Sequence, residues 1–346
     1  MRLLGPPRCT GLIRQTPEDF RVEEIPAYPP AGQGAHLLCE VEKRDLGTEQ
    51  VVRILSRALD VRAGEIGTAG LKDRRAIARQ WISVPARAAA RLAAFRAEGI
   101  AIVQASRHAN KLKTGHLRGN RFDLWVRRCE PGMREEVCAR FDRLVERGVP
   151  NYFGPQRFGH AGRNEALGRQ ILAGQGRRAR GKELRLLLSA VQAALFNDLL
   201  ARRISEGLFS RALAGDVMAL ADRRGHFLCR APEVDQPRMD RLEIHPTGPM
   251  FGPRMMQPEG EPARAETEIL AASGLGEEDW RRFKKLTRGT RRALRFGLQD
   301  ASLSWHDDSA RLRFSLPPGA YATAVLRELF DIREDESPSQ DAKPWV

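Results

Sequence analysis

Short stretches in which apolar and polar residues alternate crowd both ends of this chain and thin out in its middle. No other feature limits its possible folds as strongly. "DFRVEEI" and "HLLCEVEK" near the start, then "RQWISV", "AIVQASR" and "RFDLWVRR", carry the two-residue period of half-buried strands. "TEQVVRILSRAL" reads as a helix starting at Thr48, and "SLSW", "ARLRFSL" and "AYATAVLRELF" close the chain as strand, strand and helix. From about 148 to 296 the pattern is mostly helical, as in "ELRLLLSAVQAALFNDLLARR", whose apolar residues read as core. The order predicts an α+β protein: a strand-rich domain in two parts, 1–147 and 297–335, interrupted by an inserted, mainly helical domain at 148–296. The tail from 336 to 346 is expected to be mobile.

A length of 346 residues suits two domains, or one elaborated one. No apolar run comes near the roughly 18 residues that would span a bilayer, so membrane residence is not expected. The start, "MRLLGPPRCTGLIR", lacks the long apolar core and cleavage site of a signal peptide, which points to the cytoplasm. Five scattered cysteines, none in a C-x-x-C pair, indicate neither a disulfide framework nor a zinc site and read as buried small hydrophobes. The seven histidines show no metal-binding spacing, and no cofactor is expected.

Charge is more telling. Lys and Arg total 58 against 44 Asp and Glu, a formal net charge of +14 that favours polyanionic partners. Two segments carry the excess without interspersed acids. "RHANKLKTGHLRGNRF", 107–122, includes Lys111, Lys113, Arg118 and Arg121, with Gly115 and Gly119 permitting close backbone approach. "RRFKKLTRGTRRALRF", 281–296, would, as a helix, stack Arg281, Lys285, Arg288, Arg292 and Arg295 along one face. Both are expected to meet phosphates. In "GTAGLKDRRAIARQWISV" a single carboxylate, Asp73, sits between Lys72 and the pair Arg74 and Arg75. Cations favour the charged form of a carboxylate, which fits a nucleophile or an ion-pair partner better than a general acid.

"AGLKDRRAIARQW" resembles the catalytic segment of the TruD family of tRNA pseudouridine synthases, whose Gly-x-Lys-Asp core presents a nucleophilic aspartate. Six further segments resemble the family's landmarks in order: "TPEDFRVEEI", "HANKLKTGHLRGNRF", "GVPNYFGPQRFG", "LSAVQAALFN", "TGPMFGP" and "LPPGAYATAVLREL". Together they span nearly the whole chain. The resemblance implies a pseudouridine-synthase-like catalytic domain, with a mixed, largely antiparallel sheet flanked by helices, and an inserted TRUD domain. It implies a cofactor-free enzyme acting on tRNA at uridine 13 of the D-arm, in which Asp73 attacks a flipped nucleotide at base or ribose, and nothing in the sequence demands more than a monomer.

By the same resemblance Arg14 pairs with the aspartate, in a place where the family usually has lysine. Phe20, Asn120, Phe122 and Tyr321 contact the substrate. Other pseudouridine synthases carry tyrosine in the place of Phe122, so this ring packs or stacks and moves no proton. Tyr321 stands where close relatives have phenylalanine. Aromatic faces suit a base taken from its stack, and Asn120 matches the mixed donor and acceptor edge of uracil. Lys72, Arg74 and Arg157 join the basic residues above as RNA-backbone candidates, and Tyr152, Phe153 and Phe158 are expected to pack. The inserted domain is expected to narrow the cleft over the flipped base. A non-catalytic RNA-binding protein would explain the charge without Asp73, and a metal-dependent nuclease would need several clustered carboxylates.

Overall fold

The computed structural model describes residues 1–176 and 179–334. The expected mobile tail lies outside the described residues. The chain forms two compact units, each discontinuous: one from residues 7–138, 299–319 and 330 onward, the other from 1–6, 139–298 and 320–329.

The first unit is built on strands β1 (Thr10–Ile13), β2 (Phe20–Pro26), β3 (His36–Arg44), β4 (Gly67–Thr68), β5 (Ile77–Pro85), β6 (Ile100–His108) and β7 (Leu117–Arg127). Gln299–His306, Ser309–Leu316 and Asp331–Glu334 complete the sheet. Its main path runs from Gln299–His306 through Ser309–Leu316, β7, β2, β5 and β3 to β6. Pairing is antiparallel except between β2 and β5 and between β1 and Asp331–Glu334. Helix α1 (Thr48–Leu59) lays Val51, Leu55 and Leu59, spaced by four, on Leu37, Cys39, Val41, Ile82 and Val84. Burying each such side chain contributes about 1.5–3 kcal/mol. Gly47 is the N-cap, and Asp60, left-handed at φ 52°, ends the helix.

Alternation sorts the strands' residues onto two faces. Phe20, Val22 and Glu24 of β2 stand beside Leu124, Phe122 and Asn120 of β7, which in turn face Leu312, Phe314 and Leu316. The other face is polar and tied by ion pairs, Arg311 to Asp123 at 2.6 Å and Arg121 to Glu23 at 3.3 Å. Two inward rows end in a charge. Phe20, Val22, Glu24 is one; Leu37, Cys39, Val41, Lys43 is the other, and both charges are buried. Gly119 is fixed by crowding, since a Cβ there would lie 2.3 Å from the carbonyl oxygen of Leu316.

The second unit is organised by the helix Gly181–Ser205. By length and composition this helix is apolar enough to cross a membrane, contrary to the expectation that no run would be. Twelve of its residues are buried, among them Leu188, Val191, Leu195, Phe196 and Leu200, and they bind two clusters of the unit's core. The unit also holds a four-stranded antiparallel sheet, His226–Leu228, Val217–Leu220, Ile244–Met250 and Thr290–Ala293, which the helical reading missed. Tyr152 and Phe153 are buried against Phe196. Forked ion pairs stitch the interior, Arg291 to Glu266 at 2.6 Å and Arg203 to Asp216 at 2.7 Å.

This sheet overturns the basic helical stripe. The helix Glu277–Arg281 ends at the first of the five residues, and Thr290–Ala293 and Arg295–Phe296 are strands. Arg281 pairs with Glu277 and Glu278, acids of the preceding turn. Arg292 donates to Asn151 Oδ1 at 2.6 Å and lies 4.1 Å over the Phe153 ring. Arg295, 1% exposed, donates to the carbonyls of Arg147 and Met239. Arg281 ends a helix, Lys285 and Arg288 lie exposed between elements, and Arg292 and Arg295 sit in two strands, so the five cations do not line one helix face.

Candidate active site

Asp73 lies on the loop between β4 and β5 with its side chain 44% exposed. The loop is held mainly by its backbone. The amide of Lys72 donates to Thr48 Oγ1 at 2.9 Å, and that hydroxyl donates to Gln80 Oε1 at 2.9 Å. Lys43 Nζ donates to the carbonyls of Asp73 and Leu46, both at 2.5 Å. The amide of Gly115, in the basic loop after β6, reaches the carbonyl of Ala69 at 2.8 Å. Gly67 lets the two loops meet, because a Cβ there would lie 2.3 Å from the Leu112 oxygen.

Two cations serve the side chains. Arg14 donates from Nη2 to Asp73 Oδ2 at 3.1 Å, while its guanidinium lies 4.3 Å over the ring of Phe20. Its backbone is left-handed, φ 57°, an uncommon conformation for a residue with a side chain, at the point where β1 ends. Lys72, its side chain only 5% exposed, pairs with Glu24 at 2.6 Å and donates to Asn120 Oδ1 at 2.7 Å. The second Glu24 oxygen accepts the amide of Trp81 at 3.2 Å. Lys72 is therefore withdrawn from the RNA-backbone candidates: a buried ammonium spent on a carboxylate and an amide is not open to a phosphate.

Lys43 and Glu24 are members of this site that motif reading passed over. The signal was present, since each occupies an inward position at the end of an apolar row, where a charge needs a partner. Burial pulls the Lys43 ammonium down to about 8; Asp73 opposes the shift and Lys72 adds to it.

Phe20 and Phe122 are 2% and 7% exposed and meet edge to face at 6.2 Å, with Phe314 5.7 Å from Phe122. Their rings form the apolar floor beside Asn120 and Arg14. Of the basic candidates in this unit, Arg74, Lys113 and Arg118 are exposed, Lys111 donates to the Gly64 carbonyl and Arg121 pairs with Glu23. Tyr321 and Arg157 belong to the other unit. There Tyr321 is 44% exposed just before the helix Ala322–Leu329, and the Arg157 guanidinium lies 5.4 Å from the Phe153 ring centre. Among the described residues no group of three or more His, Cys, Asp or Glu could hold a metal ion.

The solved structure of a Methanosarcina mazei protein described as a tRNA pseudouridine synthase D (TruD) matches this chain with a TM-score of 0.77, covering 95% of each chain at 23% identity. The two chains thus share a fold. Sequence gives the class. A family profile described as "tRNA pseudouridine synthase D (TruD)" matches residues 2–182 and 180–329. The chain is 48% identical over 329 residues to a tRNA pseudouridine synthase D of Anaeromyxobacter dehalogenans, covering 93% of each. It is 40% identical over 344 residues to one of Thermus thermophilus, covering 97% of this chain and 95% of the relative. The chain belongs to the TruD family of tRNA pseudouridine synthases.

Proposed function

We propose that this chain isomerises uridine to pseudouridine at position 13 in the D-arm of tRNA, as a cytoplasmic monomer with Asp73 as nucleophile. The observation that carries the reading is the half-exposed Asp73 carboxylate, kept on Arg14 by one oxygen while its loop is anchored through main-chain groups. A carboxylate so placed can reach a nucleotide directly as a nucleophile. The N1–C1′ bond breaks, the freed uracil turns, C5 bonds to C1′, the C5 proton leaves and N1 ends protonated, so no atom is gained or lost overall. Attack on C6 of the base and attack on C1′ both fit this geometry.

In the same reading Phe20 and Phe122 bound the flipped nucleotide, returning part of the stacking it loses, and Tyr321 keeps its expected role as a substrate contact. Asn120 binds its polar edge. Arg74, Lys113 and Arg118 meet the RNA backbone, joined by Lys111, Arg121, Arg157, Lys285 and Arg288. Residues 148–296 act as a module inserted into the catalytic domain.

The test is pseudouridine mapping on unmodified tRNA transcripts with wild type and Asp73→Asn, alongside melting and RNA-binding measurements. The variant should stay folded, bind tRNA within a few-fold of wild type and lose at least about a thousandfold in rate. Comparable rates for the two proteins would remove Asp73 from the chemistry, and modification elsewhere than position 13 would correct the target alone.

A further inference from the structure

Lys72 bears on which hydrogen bond Asn120 can offer. A side-chain amide has an acceptor end and a donor end on the same planar group. Lys72 Nζ is 2.7 Å from the acceptor, Oδ1, and an ammonium has no lone pair with which to hold the other end. The ammonium is held in turn by Glu24 at 2.6 Å, in a pair whose side chains are 5% and 1% exposed. Asn120 itself is half-buried on β7, between Glu24 of β2 and Leu316 of the next strand. The amide is thereby locked in one orientation, its Nδ2 hydrogens left for a ligand.

We infer that Lys72 is a specificity-positioning residue, which makes Asn120 a pure donor that reads a carbonyl of the target pyrimidine and not its N3–H. The inference rests on the proposed role of Asn120 as a base contact. It has a chemical consequence for the turn of the base. Rotation about the N3–C6 axis exchanges C5 with N1 and, at the same time, O4 with O2. A donor beside one carbonyl position is therefore satisfied before the turn and after it. Cytosine has one carbonyl and one amino group there, so the same rotation would set an N–H against the amide N–H. Lys72 thus favours uracil through Asn120 without touching the base.

Single-turnover rates on tRNA carrying uridine, 2-thiouridine or 4-thiouridine at the target test this, because sulfur accepts hydrogen bonds poorly. Wild type should be slowed on both thio analogues, each of which puts sulfur against the donor on one side of the turn, by about tenfold for a lost neutral hydrogen bond. The double variant Glu24→Gln, Lys72→Met removes the buried pair without leaving a lone charge. It should shrink that penalty to below about twofold, since the amide is free to flip. A steric effect of sulfur would survive in the variant. An undiminished thio penalty in the double variant, or none in wild type, overturns the inference.

A second comparison leaves Lys72 in place. With one oxygen of an aspartate held on Lys72, the other would face the base carbonyl, so Asn120→Asp should be several-fold slower than Asn120→Ala; equal rates overturn the inference. If Asn120→Ala keeps wild-type rates on all three RNAs, the base-contact reading itself fails. If it loses the thio penalty while the double variant keeps it, only the role of Lys72 falls.

Discussion

Lys43 shows how one buried charge organises the Asp73 loop. It is wholly buried at the end of an apolar row, and its two hydrogen bonds go to carbonyls of Leu46 and Asp73. Its pKa, about 8 in the fold, lies below the ordinary 10.5. Between those values the unfolded chain binds more protons than the folded one, so this group's contribution to stability rises with pH across that window. Below pH 8 it costs the fold about 3 kcal/mol at most. Melting curves from pH 7 to 10.5 should therefore show wild type gaining on Lys43→Met as pH rises, whatever their order at pH 7. Parallel curves would mean that the ammonium does not titrate there. At pH 7 the variant should also form pseudouridine at least about tenfold more slowly, because the Asp73 carbonyl loses its donor.

At the scale of elements, period-two and period-four patterns carried most of the first unit. "TEQVVRILSRAL" is α1 from Thr48 to Leu59, and the expected strands stand within a few residues of their places. In the candidate site a motif marks Asp73, whereas Lys43 and Glu24 lie in no motif and are found only by asking which face of a strand they share with apolar neighbours. The second unit's sheet was hidden for a different reason. Its central strand, Ile244–Met250, reads "IHPTGPM" and is buried at every position, so it shows no alternation and carries two prolines that argue against a strand.

That strand contains His245, 5% exposed, with its pKa driven down to about 3 by burial and further by Arg295. The unfolded chain takes up this proton below about 6.5 and the fold only near 3, so the contribution to stability is lost as pH falls through that window. The loss is about 5 kcal/mol at most. His245→Gln should lose less stability than wild type between pH 6.5 and 4 in denaturant titrations, and equal losses would place the acid sensitivity elsewhere.

Over the whole molecule, the chain passes between its two units five times, and the last described strand, Asp331–Glu334, pairs in parallel with β1 near the start. Neither unit can close before residues 320–334 have been made, and such long-range pairing makes for slow folding. Charge also acts at this scale. With a net +14 and exposed cations at Arg74, Lys113, Arg118, Lys285 and Arg288, tRNA affinity should fall steeply with salt. Neutralising about six phosphates gives a log–log slope of roughly −4 to −5, and a slope near zero would dismiss a backbone-led mode of binding. The Asp73 loop, finally, is gripped by Thr48, Lys43 and Gly115 through its own amides and carbonyls, whatever its side chains. On the proposed reading an enzyme disarmed at Asp73 would keep its grasp on what it can no longer convert, and the RNAs retained on such a bait would name the natural targets.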